Sequence, residues 1–350
     1  MVGQPLLAVE DLEVTFETRR GAVTVLNHVS FEVNAGEILG IVGESGCGKS
    51  MTALAIMGLV PGPNGRISDG RILYRGEDLV QANEVRLRSV RGASIAMIFQ
   101  EPMTSLNPVF TIGEQIAETL RLHEGLSRAD ARRRALQALD SVRIPAASTR
   151  FGAYAHELSG GMRQRVMIAI ALACKPDLLI ADEPTTALDV TVQAQIFDLL
   201  REIGRESGAG IMLITHDMGA VAEMADRVFV MYAGHGVESG PVDQVLAAPA
   251  HPYTQGLIAC TPHVQMDAAN ADLRLPLAEI PGVVPSLHER PPGCPFAPRC
   301  AQRLASCYSA MPTALPVRNA RTNDHAAACH LLAVTPPAAH ARRPMGRSPC

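Results

Sequence analysis

The chain has 350 residues, 47% of them apolar, enough to bury one large domain with a smaller appendix, or two ordinary domains. Its formal charge of −4 lacks the basic excess of a general nucleic-acid binder. No apolar run approaches the roughly 20 residues of a bilayer crossing, and Met1 to Glu10 has no basic segment before its short apolar stretch, so a soluble chain without a secretory signal is expected.

In chain order, Leu12 to Phe16, Val23 to Leu26 and Val29 to Val33 alternate like strands between turn residues. Ile38 to Val42 is a continuous apolar run, as a buried strand should be, and Lys49 to Gly58 reads as a helix. Ser94 to Phe99 is a second buried strand. Ile112 to about Val142 is rich in Ala, Leu, Arg and Glu and reads as helix, as does Gly160 to Ala173. Leu178 to Ala181 and Ile211 to Thr215 are short apolar strands. Strands alternating with helices predict a mostly parallel α/β sheet. Beyond about Gly240 proline is frequent and periodicity fades, which predicts a small irregular domain over 241–334 and a disordered tail over 335–350.

Gly43-Glu44-Ser45-Gly46-Cys47-Gly48-Lys49-Ser50 fits the strand–GxxxxGK[ST]–helix phosphate loop, with Met51 next in the helix. Its glycines let successive N–H groups face phosphate oxygens, and the helix N-terminus adds partial positive charge. Lys49 is placed for the β- and γ-phosphates and Ser50 for Mg²⁺. Cys47 reads as a small filler, at a position where alkylation would block ATP. Asp182 and Glu183 end an apolar strand, where Asp182 can hold Mg²⁺ through water and Glu183 can polarise the attacking water.

Leu158-Ser159-Gly160-Gly161-Met162-Arg163-Gln164 closely resembles the LSGGQ signature of the ABC ATPase family, with Met where Gln is usual. The resemblance continues in order: Gln100 matches the Q-loop, Ala187-Leu188-Asp189 the D-loop, and His216 the switch histidine, while Phe16 sits where an aromatic stacks on adenine. It covers about residues 7–240. It implies a RecA-like α/β core, an N-terminal antiparallel β subdomain and a helical signature subdomain at about 104–170. It also implies that Ser159, Gly160 and Gly161 bind, in trans, the ATP held by a second ATPase subunit, with Gln100 among the Mg²⁺ contacts.

Three stretches resemble the oligopeptide/dipeptide importer ATPases: Gln100 to Pro108, Glu183 to Gln193, and His251-Pro252-Tyr253. That resemblance implies a peripheral subunit at the cytoplasmic face of the cell membrane. Its partners would be a second ATPase subunit, two permease subunits and, indirectly, an extracytoplasmic solute-binding protein, with no nucleic acid. Nickel or a glutathione-type peptide stays open as cargo, and so does an ABC ATPase without a membrane partner.

Cys294, Cys300, Cys307 and Cys329 crowd into the C-terminal stretch. Four thiolates can close a Zn²⁺ site or hold an iron–sulfur cluster, or can simply pack as small apolar residues. Members of the peptide-importer family carry a [4Fe–4S] cluster at a similar run, so the resemblance favours the cluster.

Overall fold

The computed structural model describes residues 4–101, 105–186, 188–261, 279–287, 291–317, 321 and 324–334. Strands β1 (Leu7–Thr18) and β2 (Gly21–Val33) pair antiparallel. The two segments expected at Val23 to Leu26 and Val29 to Val33 are therefore one strand. The polar pair between them, Asn27 and His28, forms a bulge instead of a turn: His28 takes φ +50°, and the pairing shifts between Leu12–Val29 and Val14–Leu26.

After β3 (Ile38–Val42) and helix α1 (Lys49–Ile56), strands β4 (Gly65–Tyr74) and β5 (Glu77–Asp78) complete a four-stranded sheet in the order β2-β1-β4-β5. Helix α2 (Glu84–Val90), capped by Asn83 accepting from the Arg86 N–H, leads to β6 (Ile95–Ile98). No sequence expectation covered β4, β5 or α2, whose polar and apolar residues mix without a clean period.

The helical region holds α3 (Ile112–Glu124), α4 (Arg128–Ser141), α5 (Ala147–Arg150) and α6 (Gly160–Leu172). The helix expected from Ile112 to about Val142 is two. Gly125 closes α3 in the left-handed region (φ +66°), and Ser127 accepts from the Asp130 N–H to start α4. Ile112, Ile116 and Leu120 of α3 pack with Ala131, Ala135 and Leu139 of α4 and with Val166 of α6 in one core. The spacing is that of a helix with one buried stripe.

The rest of the chain builds an eight-stranded sheet from β3, β6, β7 (Leu178–Asp182), β8 (Gly210–Thr215), β9 (Arg227–Tyr232), β10 (His235–Pro241), β11 (Ala314–Pro316) and β12 (Ala326–Ala328). Its order is β11-β12-β10-β9-β3-β8-β7-β6, parallel from β9 to β6. Helices α7 (Val190–Ser207), α8 (Met218–Met224), α9 (Val242–Ala247), α10 (Pro252–Ala259) and α11 (His330–Val334) complete it. The parallel strands are buried on both faces, as their unbroken apolar runs require.

The boundary expected near residue 240 falls inside β10. Strands β11 and β12 extend the same sheet, with Glu238 opposite Ala327 and Ser239 opposite Ala326. The join is polar and buried. The Glu238 carboxylate takes the N–H groups of Ala250 (2.7 Å) and His251 (2.9 Å) and lies 2.7 Å from the His325 ring. The tail over 335–350 lies outside the described residues, as do Pro102, Met103, Thr104 and Ala187.

Candidate active site

The loop between β3 and α1 follows a central strand of the parallel sheet, between β9 and β8. Gly43 takes φ +157°, and a Cβ there would stand 2.2 Å from the Met231 carbonyl oxygen, so no larger residue fits. Gly48 opens α1 in the left-handed region, φ +109°, beneath Leu26. Lys49 is buried, and its Nζ donates to the Gly43 carbonyl (2.7 Å) and the Glu44 carbonyl (3.3 Å). Ser45, Gly46, Gly48, Lys49, Ser50 and Met51 line a cavity of about 320 Å³ together with Val25, Gln100 and Glu183.

Cys47 is buried in a core cluster and does not line that cavity, and burial pushes its thiol up. The filler reading suits this position. A buried, protonated thiol here would react only slowly with an alkylating agent. Phe16 is not among the cavity's lining residues; it is half-buried, packed over Gly65.

Ser50 Oγ donates to Asp182 Oδ1 at 3.1 Å. Asp182 is 4% exposed, and burial raises its carboxyl above the usual range; the neighbouring Glu183 charge adds to this, while the Ser50 bond and Lys49 oppose it. A buried carboxylate beside a hydroxyl is the hard-oxygen donor set that suits Mg²⁺.

Glu183 follows at φ +45°, a strained value for a side-chain-bearing residue. Its N–H is tied to the Ile214 carbonyl at 2.9 Å. Its carboxylate accepts from Gln100 Nε2 (3.0 Å) and Thr186 Oγ (3.0 Å) and lies 3.4 Å from His216 Nδ1. The structure thus brings Lys49, Ser50, Gln100, Asp182, Glu183 and His216 together from four separate segments of the sequence. Thr186 joins them unforeseen, and only its place three residues after Glu183 signals it.

The signature segment stands elsewhere. Ser159 caps α6 with its hydroxyl free of any capping bond, and Gly160 and Gly161 follow. These three line a separate cavity of about 500 Å³ with Arg143, Arg165 and Asp189. No residue lines both this cavity and the phosphate-loop cavity. Asp189 accepts from the Val192 N–H at 2.9 Å and so caps α7.

Cys294, Cys300, Cys307 and Cys329 are free and buried in one core cluster or beside it. Burial raises the Cys294 thiol to about 11, and Cys307 and Cys329 push it the same way. Cys300 and Cys329 are also raised, first by burial and then by their thiol neighbours. Four gathered thiols have the donor chemistry of a soft metal centre. Among the described residues, however, no three His, Cys, Asp or Glu side chains are grouped to hold a metal ion.

Two contacts to the phosphate loop were missed by sequence reasoning. Arg299 grips the Glu44 carboxylate with both terminal nitrogens, at 2.6 and 3.0 Å, and the Tyr253 hydroxyl accepts the Glu44 N–H at 2.8 Å. Tyr253 lies in a stretch noted only as a family mark, and Arg299 was overlooked beside Cys300.

Residues 26–186 match the family model described as ABC transporter, and residues 237–307 match that described as Oligopeptide/dipeptide transporter, C-terminal region. The Dipeptide transport ATP-binding protein DppD of Bacillus subtilis (strain 168) is 46% identical over 328 residues, covering 94% of this chain and 95% of the relative. A peptide import ATP-binding protein of Brucella abortus (strain 2308) is 52% identical over 318 residues, covering 89% of this chain and 94% of that one. Among solved structures, the dimeric ATP-binding cassette MJ0796 bound to ADP and Pi superposes with TM-score 0.61 at 26% identity, over 67% of this chain and 98% of that chain. The structure of cbiO1 from Clostridium perfringens, part of the ABC transporter complex cbiONQ, gives TM-score 0.60 at 29% identity, over 70% and 92%.

Proposed function

This chain belongs to the ABC transporter ATPases that carry the oligopeptide/dipeptide C-terminal region, and from that premise we propose that it hydrolyses ATP to drive peptide import through a membrane permease. One observation carries the chemistry: Glu183 is held by Gln100 and His216 one residue beyond the Asp182–Ser50 pair.

In this reading the loop Gly43–Ser50 cradles the phosphates, and the Lys49 ammonium moves from two backbone carbonyls to phosphate oxygens. Ser50 and Asp182 hold Mg²⁺, which when bound neutralises charge on the β- and γ-phosphates. Glu183 takes the proton of the attacking water as general base. Gln100 and His216 orient the Glu183 carboxylate and stand ready to donate toward the transferred phosphoryl group. Catalysis is then mainly positioning and charge stabilisation.

The separate signature cavity supports a head-to-tail pair of ATPase subunits. Ser159, Gly160 and Gly161 would cap a nucleotide held by the partner, since they share no lining with this chain's own loop. ATP would favour the closed pair by binding it better than the open one. Whether the partner is a copy or a paralogue, two permease subunits and a solute-binding protein would complete the importer. Among the described residues no helix is long and apolar enough to cross a membrane, so attachment at the cytoplasmic face would run through those permeases. A groove of about 520 Å³ lined by Leu54, Met97, Phe99, Gln100 and Glu101 lies beside the catalytic residues and is the surface we assign to a permease.

For the C-terminal thiols, the favoured occupant is a [4Fe–4S] cluster on Cys294, Cys300, Cys307 and Cys329, with a structural role and Zn²⁺ as the alternative. The burial of the four thiols and the family resemblance motivate this reading, although the described side chains are not grouped as a ligand set; iron and acid-labile sulfide analysis of anaerobically purified protein tests it.

The transport reading is tested by affinity purification in mild detergent, followed by reconstitution of the co-eluting permeases in vesicles. ATP-dependent uptake of a labelled dipeptide supports it. ATP turnover without uptake of any peptide, or with uptake of nickel alone, contradicts the peptide assignment.

A further inference from the structure

We propose that Arg299 and Tyr253, both in the C-terminal region, are positioning residues for the phosphate loop and tune its affinity for nucleotide through Glu44. The inference rests on the ATPase reading and deepens it.

Glu44 is the first variable residue of the loop, and all three of its polar groups are engaged. Its carbonyl receives Lys49 Nζ at 3.3 Å, its N–H goes to the Tyr253 hydroxyl at 2.8 Å, and its carboxylate receives the Arg299 fork. One residue therefore joins the phosphate-binding lysine to a segment 255 residues away.

The clamp is built, not incidental. The Arg299 side chain is 5% exposed. Its Nε donates to the Pro281 carbonyl (2.8 Å), and its terminal nitrogens reach the Ile280 carbonyl (3.1 Å) and the Tyr232 hydroxyl (3.3 Å) in addition to Glu44. A buried guanidinium with every nitrogen engaged is rigid, and two parallel bonds to one carboxylate fix orientation as well as distance.

Tyr253 is fully buried and packs on Tyr232 (ring centroids 4.6 Å apart) and Phe296 (5.4 Å). Burial pushes its phenol far up, so the hydroxyl stays neutral and accepts the Glu44 N–H. With both ends of the Glu44 peptide held, the Lys49 carbonyl partners stay put and the loop needs less ordering when a phosphate arrives. Neither Arg299 nor Tyr253 lines the phosphate-loop cavity, so their effect should fall on affinity and spare the hydrolytic step.

The test uses the full chain and Mg-ADP as probe, by titration calorimetry, with thermal unfolding recorded in the absence of nucleotide. Wild type, R299M, R299K, Y253F, E44Q and the double variant E44Q/R299M are compared. The expected result is a loss of affinity of about tenfold for R299M and a smaller loss for Y253F. R299K, which keeps charge without the fork, should recover part of it. E44Q/R299M should be no weaker than R299M alone, because both act through one contact.

Wild-type affinity in folded R299M and Y253F would overturn the inference. So would losses that add in the double variant, since Arg299 would then act by another route. If R299M does not fold, Y253F carries the same decision. Failure of wild type itself to bind Mg-ADP would overturn the ATPase reading and this inference with it.

Discussion

Ser50 at the start of α1 and Asp182 at the end of β7 meet at 3.1 Å across 132 residues of sequence, joining the phosphate loop to the carboxylate strand. Burial keeps the Asp182 carboxyl above its usual range. Asp182→Asn removes a charged oxygen donor beside Ser50 and should raise the Mg²⁺ concentration needed for half-maximal ATP turnover by about tenfold or more. Metal titrations of turnover, wild type against variant, check this.

Gln100 and His216 both reach the Glu183 carboxylate. Their loss should separate chemistry from binding. His216→Ala should lower kcat about a hundredfold, and Gln100→Ala about tenfold or more, with Mg-ADP affinity close to wild type. Steady-state kinetics paired with calorimetry gives the answer; a large loss of affinity in either variant would mean that it shapes the loop.

Sequence alone made much of this site legible, because its parts are short patterns with a chemical reason. The glycine loop, Asp182, Glu183, Gln100 and His216 each follow a buried strand, and parallel strands end on the same side of the sheet. What stayed hidden depends on contacts between distant segments. Arg299 has no motif of its own, and its meaning comes from Glu44. β1 and β2 were read as several short strands because a bulge at His28 carries the residues of a turn. The long helix split at Gly125 because a single glycine in an otherwise helical pattern can either be tolerated or end the helix. The four C-terminal cysteines crowd together in sequence, but among the described residues no three His, Cys, Asp or Glu side chains are grouped to hold a metal ion, because spacing does not determine side-chain geometry.

His251 should make the chain acid-sensitive. It is 1% exposed, its Nδ1 accepts the Tyr253 N–H at 3.1 Å, and burial lowers its pKa from 6.5 to about 4, with Glu238 opposing. The folded ring is thus neutral where the unfolded one begins to protonate. The unfolded state binds more protons between pH 6.5 and 4, so stability is present above this window and lost as pH falls through it. Between pH 7.5 and 5 the loss from this group is roughly 2 kcal/mol. Urea unfolding at the two pH values measures it. His251→Asn keeps a side-chain acceptor for the helix start and should show a smaller difference.

The signature predicts a different split. Ser159 is exposed at the α6 start and lines its own cavity away from the loop. Ser159→Ala should leave Mg-ADP affinity of the isolated chain unchanged and lower turnover of the assembled pair by about tenfold. Equal turnover in the assembled complex would argue against a shared nucleotide.

The most direct measurement is ATP hydrolysis by the purified complex, wild type against Glu183→Gln. Sustained turnover in wild type, falling by at least about a hundredfold in the variant while nucleotide is still bound, is what a Glu183 general base predicts. Turnover that survives the substitution, or a wild-type complex that binds Mg-ATP and never hydrolyses it, would contradict the account.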